Sequence, residues 1–246
     1  MVSGMKHHSI YFFACYDTGR YTSWKDKKLL IKMVIMEGGA SLCQHMHING
    51  AIKDIDVTMA KQHWKPGNML YPVPAVMVSC GREGEKPNII TVAWAGTIST
   101  SPAMLSISIR PERYSYGIIK ETGEFVVNLV NKELVFACDY CGVKSGKNLD
   151  KYKEMKLTPS RSQVIKAPGI EESPVNIECR VAEIKPLGSH DLFIAEVVGV
   201  NVDEKYMSST GKFNLNSSGL VAYSHGEYFE LGKKLGKFGY SVQKKR

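Results

Sequence analysis

Between Asn88 and Asn128 the chain carries its densest set of residues able to hold a ligand. An apolar run gives way to Ala95, Gly96, Thr97, Ser99, Thr100 and Ser101, and Pro102 stops it. Further on, a second strand-like run ends at Arg110, and Arg113, Tyr114 and Ser115 open an expected helix. Small residues let backbone N–H groups approach a planar ligand. Arginines and a hydroxyl at a helix start suit a phosphate, because the macrodipole is positive there and its first N–H groups are free. The combination points to a phosphorylated aromatic cofactor more than to a buried catalytic triad. Surface arginines paired with Glu112 and Glu121 are the competing reading, and such pairs contribute little.

Other candidates are weaker alone. Ser145-Gly146-Lys147 followed by Asp150-Lys151-Tyr152 reads as a loop running into a helix. Lys151 supplies a mobile cation for a phosphate or the edge of a flavin, while Asp150 caps the helix; a solvated lysine is the plain alternative. His190 stands in the turn GSHD, where a histidine is ordinarily just exposed. Trp94, on a strand ahead of the hydroxyl cluster, has the position of a core residue. Cys138 and Cys141 have C-x-x-C spacing on an expected helix, but one pair lacks the four ligands zinc wants, so a structural role is favoured over a redox or metal one. Cys43, His45 and His47 could form a metal tract but fall in a segment of doubtful standing, and no metal site is assigned. No G-x-G-x-x-G follows a strand into a helix and no G-x-x-x-x-G-K-[ST] is present, which argues against Rossmann and P-loop sites. LGKKLGKFG at 231–239 follows no clear strand and reads as a tail packing across a partner subunit.

The elements that must position these groups are mostly strands. Val73–Cys80 and Asn88–Ala95 are β-branched runs separated by the turn GREGEKPN. Met104–Arg110 alternates Leu and Ile with Ser, the period of a half-buried strand. A helix is expected over Ser115–Thr122, ended by Gly123. Strand resumes over Glu124–Val130, with helices at Lys132–Cys141 and Leu149–Met155. Two long antiparallel strands, Pro174–Ile184 and Leu192–Val202, flank the turn KPLGSHD, and Leu220–Ser224 is expected as the last strand. Many strands with few short helices imply a mainly β fold closed into a barrel, which removes exposed edges.

The chain has 246 residues, 43% hydrophobic and 23% charged, enough for one large domain or a domain with an appendage. Its net charge of +8 favours anionic ligands without choosing among them. Part of that charge is a Lys/Arg-rich tail, expected as a solvated end rather than a nucleic-acid groove. Six scattered cysteines do not make a secreted disulfide framework. LLIKMVIM at 29–36 is too short to span a membrane, and no cleavage site follows it. No membrane or nucleic-acid partner is expected, and the cytoplasm is the default location. Residues 1–58 show no sustained period of 2 or 3.6, so they are expected to be a disordered extension or an over-called start, with the working domain at 59–246.

In their order, KPGNMLYPVPAVMVSCG, NIITVAWAGTISTSPAMLSISIRPERYS, FVVNL, CGVKSGKNLDKY, LGSHDLFIAEVVGV and LGKKLGKFGYSV resemble the flavin reductase-like, FMN-binding split-barrel family, in its flavoredoxin-type branch. These segments cover about 61–242. The resemblance implies a six-stranded Greek-key split barrel with short helices, working as a homodimer with FMN in a groove at the subunit interface. On this reading Ala95 and Thr97 to Ser101 hold the flavin and its phosphate side, Ser99 and Thr100 among them. Arg113 and Ser115 complete the anion site, Trp94 lines the pocket, and Lys151 reaches the cofactor. His190 lies where a nicotinamide ring would stack, and Ser189 stands where relatives often carry Asp.

The resemblance further implies an oxidoreductase: hydride passes from NADH or NADPH to flavin N5, and electrons go on to an acceptor such as a metal chelate, a monooxygenase partner or an iron–sulfur protein. No side chain then serves as nucleophile or general base. The alternative is a non-enzymatic FMN-binding electron-transfer carrier reduced by a protein partner. A ligand-binding barrel that has lost flavin is a third.

Overall fold

The computed structural model describes residues 61–243 and, as backbone alone, three strands before them: β1 (Ser9–Tyr16), β2 (Leu29–Glu37) and β3 (Ala40–Gln44). These pair antiparallel in the order β1-β2-β3 and belong to a compact unit, Met1–Pro66. His45 and His47, invoked with Cys43 as a metal tract, lie outside the described residues, as does the end of the basic tail at 244–246.

The second unit, Gly67–Arg246, is built on a curled sheet. Its elements are β4 (Val73–Pro74), β5 (Val76–Cys80), β6 (Asn88–Val92), β7 (Ala95–Thr100), β8 (Ala103–Ile109), α1 (Tyr114–Thr122), β9 (Glu124–Leu129), α2 (Val135–Val143), α3 (Lys151–Glu154), β10 (Pro159–Ser160), β11 (Gly169–Ile170), β12 (Val175–Pro186), β13 (Asp191–Val202), β14 (Val221–Ser224) and β15 (Glu227–Glu230). Seven strands form one antiparallel sheet in the order β6-β5-β9-β12-β13-β8-β7. Its two edge strands, β6 and β7, are consecutive in sequence and separated only by Ala93 and Trp94. The sheet must therefore curl until its edges approach, which makes a barrel split along that seam. Between β8 and β9 the chain crosses the barrel through α1, the Greek-key feature of the topology.

The expected strand Asn88–Ala95 is thus two strands, and the sheet has seven strands instead of six. The break is needed because its first half pairs with β5 and its second with β8, on opposite sides of the seam. The small and hydroxyl residues from Ala95 to Thr100 are themselves strand, β7, with Ser101 just beyond it. Val73–Cys80 is likewise divided: β4 joins β14 and β15 in a separate three-stranded sheet. In β15, missed from sequence, Tyr228 faces Tyr223 across the hairpin.

Burial follows strand period. Val76, Val78, Ile90, Val92, Leu105, Ile107, Ile109, Phe125 and Phe193 fill the barrel, and Ile118 and Ile119 of α1 close one end of it. The opposite faces of β5 and β6 carry Met77 and Ile89 into a second core under α2 and α3, with Cys138, Cys141 and Tyr152. Buried on both faces, β5 reads as an apolar run broken only by Ser79, whose hydroxyl donates to Pro168 O at 2.6 Å. The Ser residues of LSISI fall on the half-buried face of β8, as their alternation predicts. Gly123, at φ 69, ends α1 in the left-handed conformation that glycine takes without a Cβ clash. Among the described residues no helix is long and apolar enough to cross a membrane.

Candidate functional site

The connection Arg110–Arg113 leads from β8 into α1, and the first turn of that helix opens on a cavity of about 460 Å³. Arg113 is the N-cap and no side chain caps the helix; Tyr116 N donates to Arg113 O at 3.0 Å, so among the described residues the Tyr114 and Ser115 N–H groups are left without a partner beside the cavity. Across the cavity stand Asn88 and Ile90 of β6, Cys141 of α2, the loop Lys144–Gly146, and Lys151 of α3. The lining holds Arg110, Arg113, Lys144 and Lys151 against a single carboxylate, Glu112. Glu112 pairs with Arg110 at 3.7 Å, whereas Glu121 pairs with Arg82 at 2.7 Å. Among the described residues Arg113 makes no ion pair, which leaves its guanidinium to the cavity.

Lys151 is neither mobile nor solvated. Its side chain is buried, and Nζ donates to Ile89 O at 2.6 Å and Cys141 O at 2.7 Å. Burial, opposed by the neighbouring Cys141 thiol and reinforced by Arg113, moves its pKa below the ordinary lysine value. The ammonium has a third proton beyond these two bonds, and its charge is fixed in place by the fold. Asp150 caps α3, accepting from Lys153 N at 3.1 Å, as its position predicts.

Ser115 is also buried. Its Oγ accepts from Asn88 Nδ2 at 2.7 Å, which leaves the hydroxyl proton for another acceptor. Gly146 approaches Asn88 so closely that a Cβ there would collide with the carboxamide. Asn88 thereby links β6, α1 and the 144–146 loop. Nothing in the sequence marks it, because an Asn at a strand start reads as turn chemistry. Beneath it, burial pushes the Cys80 thiol up to about 12 despite Ser115, Lys151 and Arg82 nearby, and burial takes Cys141 to about 11. Both are inert as thiols at neutral pH. Cys138 and Cys141 share the buried face of α2.

His190 comes to the same end of the barrel. Asp191 faces Ile109 in the β13–β8 register, which sets His190 beside Arg110. Burial first, then Arg110 and Arg113, lower its pKa below 6.5 against an opposing effect of Glu112. Ser189 Oγ lies 2.9 Å from its Nδ1.

The small and hydroxyl residues are arranged differently. In the β7–β8 hairpin Ala95 faces Ile107 while Thr100 faces Ala103. Trp94 and Ala95 therefore lie at the cavity end. Thr100 and Ser101 lie a β8 length away, about 20 Å for a seven-residue strand. The fold thus brings Arg113, Ser115 and Lys151 together, with His190 and Trp94 near, but not Ser99, Thr100 and Ser101 of the same chain. Trp94 is half-buried at the β6–β7 break rather than in the core, its ring 6.1 Å from that of Tyr71, which stands 4.8 Å from His225. Gly96, Thr97, Ile98 and Thr100 are exposed on an edge strand.

The second unit is thus a split barrel with a cationic cavity at its first helix. The family model for the flavin reductase like domain matches residues 68–232, and the chain belongs to that family. It is 34% identical over 160 residues to an uncharacterized protein of Archaeoglobus fulgidus, covering 65% of this chain and 88% of that one. Its fold is similar to the flavoredoxin of Desulfovibrio vulgaris, with TM-score 0.69, 29% identity, and coverage of 75% of this chain and all of the other. It is similar also to the flavoredoxin of Methanosarcina acetivorans, with TM-score 0.67, 26% identity and the same coverage. Family and fold together assign the chain a flavin-related redox function.

Proposed function

We propose that this protein is an FMN-dependent oxidoreductase that takes electrons from NADH or NADPH and passes them to a further acceptor. The observation that carries the reading is the cavity at the start of α1, with four cations, one carboxylate and free helix N–H groups. That donor set fits a phosphate monoester: Arg113 offers a planar fork, Ser115 a hydroxyl proton, and Lys151 a fixed charge. FMN supplies the hydride and electron chemistry when bound.

The chain's own residues position and tune. Arg113 and Lys151 offset the ligand's negative charge, and the buried contacts around Lys151 and Ser115 keep both groups in place before binding. Trp94, Ala95 and Thr97 offer a small, flat surface for an aromatic ring. His190, whose cationic form is disfavoured by burial and the two arginines, can face a nicotinamide. Strand β7 is an open edge carrying the exposed Thr97, Ile98 and Thr100, the kind of strand a second chain covers. In a homodimer the Ser99–Ser101 hydroxyls of one copy and the cations of its partner would share one cofactor.

The test is a visible spectrum of purified protein, with FMN added if needed, before and after anaerobic NADH and NADPH. Flavin bands that bleach rapidly with either nucleotide are expected. Bleaching only by dithionite or a protein donor would make the protein an electron carrier. Colourless protein that refuses micromolar FMN would defeat both readings.

A further inference from the structure

After β15 the chain continues as an arm, residues 231–243, that is apolar, basic and uncovered. Leu235 and Phe238 are fully exposed, at 94% and 108%, and Leu231, Tyr240 and Val242 are exposed as well. Lys233, Lys234 and Lys237 alternate with them, with no acidic residue between. Among the described residues the arm's backbone bonds are local, Tyr240 N to Lys237 O and Val242 N to Gly239 O, apart from Leu231 N to Leu220 O at its root. Exposed apolar side chains in such a series mark an interaction segment.

A groove of about 410 Å³ with the opposite character lies on the same unit. Leu134, Phe136, Met155 and Leu157 line it, and Phe136 is 76% exposed. Glu133, Glu154 and Glu172 rim it, with Lys156 the one cation of its lining. Apolar side chains would fill its floor while lysines, lying along apolar surface with their ammonium groups outward, meet the rim carboxylates.

We propose that the arm of one copy docks in this groove of a second copy of the chain. Charge complementarity selects the occupant. The position of the root supports a reciprocal exchange: Glu230, where the arm departs, lies 4.0 Å from Lys132, next to Glu133 of the rim. With each arm leaving beside its own groove, a two-fold axis carries both arms across together. Thirteen residues reach about 40 Å when extended, ample for the crossing. The inference rests on the homodimer in the functional reading and on none of its flavin chemistry.

Charge exchange on the full chain tests it. Sedimentation equilibrium is run on the triple variant Lys233→Glu/Lys234→Glu/Lys237→Glu, on Glu133→Lys/Glu154→Lys, and on their equal mixture. Each variant alone should self-associate about tenfold or more weakly than the natural chain, and the mixture should recover as a heterodimer. Removal of residues 231–246 should weaken association similarly and should not be restored by the groove variant. Unchanged association of the truncated or arm-reversed chain overturns the proposal. So does weakening without recovery in the mixture, which would place the arm on another surface or on its own chain. Flavin uptake, read by visible absorbance on the same samples, tests the functional reading separately.

Discussion

Asn88 Nδ2 donates to Ser115 Oγ across 2.7 Å in a buried contact, tying the first residue of the edge strand β6 to the first turn of α1. The same carboxamide is packed by Gly146. One residue therefore orients the hydroxyl of the anion cavity and seats the loop on its far side. Replacing Asn88 with Ala removes the bond without touching a cation. FMN affinity should fall about tenfold and stability by about 1–2 kcal/mol, read by fluorescence titration and urea unfolding.

Gly146 has no positive φ, so its need for glycine is steric alone. Gly146→Ala should destabilise by about 1–3 kcal/mol through overpacking against Asn88. In an Asn88→Ala background the same change should cost clearly less, because the colliding group is gone. A double-mutant cycle by chemical unfolding measures this. Additive effects would show that the loop is held by something else.

Lys151→Met keeps an unbranched apolar stem but removes a charge bonded to Ile89 O and Cys141 O. FMN binding should weaken about tenfold or more, and its salt dependence should diminish. Isothermal titration at two ionic strengths checks both. A variant that binds FMN like the natural chain would remove Lys151 from the site.

Glu178 is a buried carboxylate outside the lining of the cavity. It accepts from Gln163 N (2.7 Å), Val164 N (2.8 Å), Ile165 N (3.2 Å) and Asn201 Nδ2 (2.8 Å). Burial alone would raise its pKa, but these donors outweigh it and hold the value below the ordinary 4.5. A depressed folded-state pKa contributes stability that is present above 4.5 and lost as pH falls through the lowered value. Glu178→Gln should cost about 2–4 kcal/mol at pH 7 and flatten the acid limb of a stability–pH curve. An unchanged acid limb would mean that this carboxylate does not drive acid sensitivity.

His190 should titrate below 6.5 by NMR, because burial and the nearby Arg110 and Arg113 disfavour its cation. Arg110→Ala should move the value upward. Any stability tied to the neutral ring is present above 6.5 and lost as pH falls through the depressed pKa. A shift downward in that variant would contradict the placement of His190 beside the arginines.

Local pattern alone was enough for much of this molecule. The Ser/Ile alternation of β8, the glycine stop after α1, the Asp150 cap and the two long strands β12 and β13 are short-range properties, and each stands where sequence reading expects it. So does the convergence of Arg113 and Ser115, which are neighbours in the chain. Only the tertiary structure decided the rest, because those features depend on which strands meet. Pairing on opposite sides of the seam divides β6 from β7 at Ala93 and Trp94. Burial under α2 turns Lys151 from a solvated cation into a fixed one, and a close approach of distant segments gives Asn88 its place against Ser115 and Gly146. A hairpin extended by β8 separates Thr100 and Ser101 from the cavity, since strand length sets distance where sequence proximity does not.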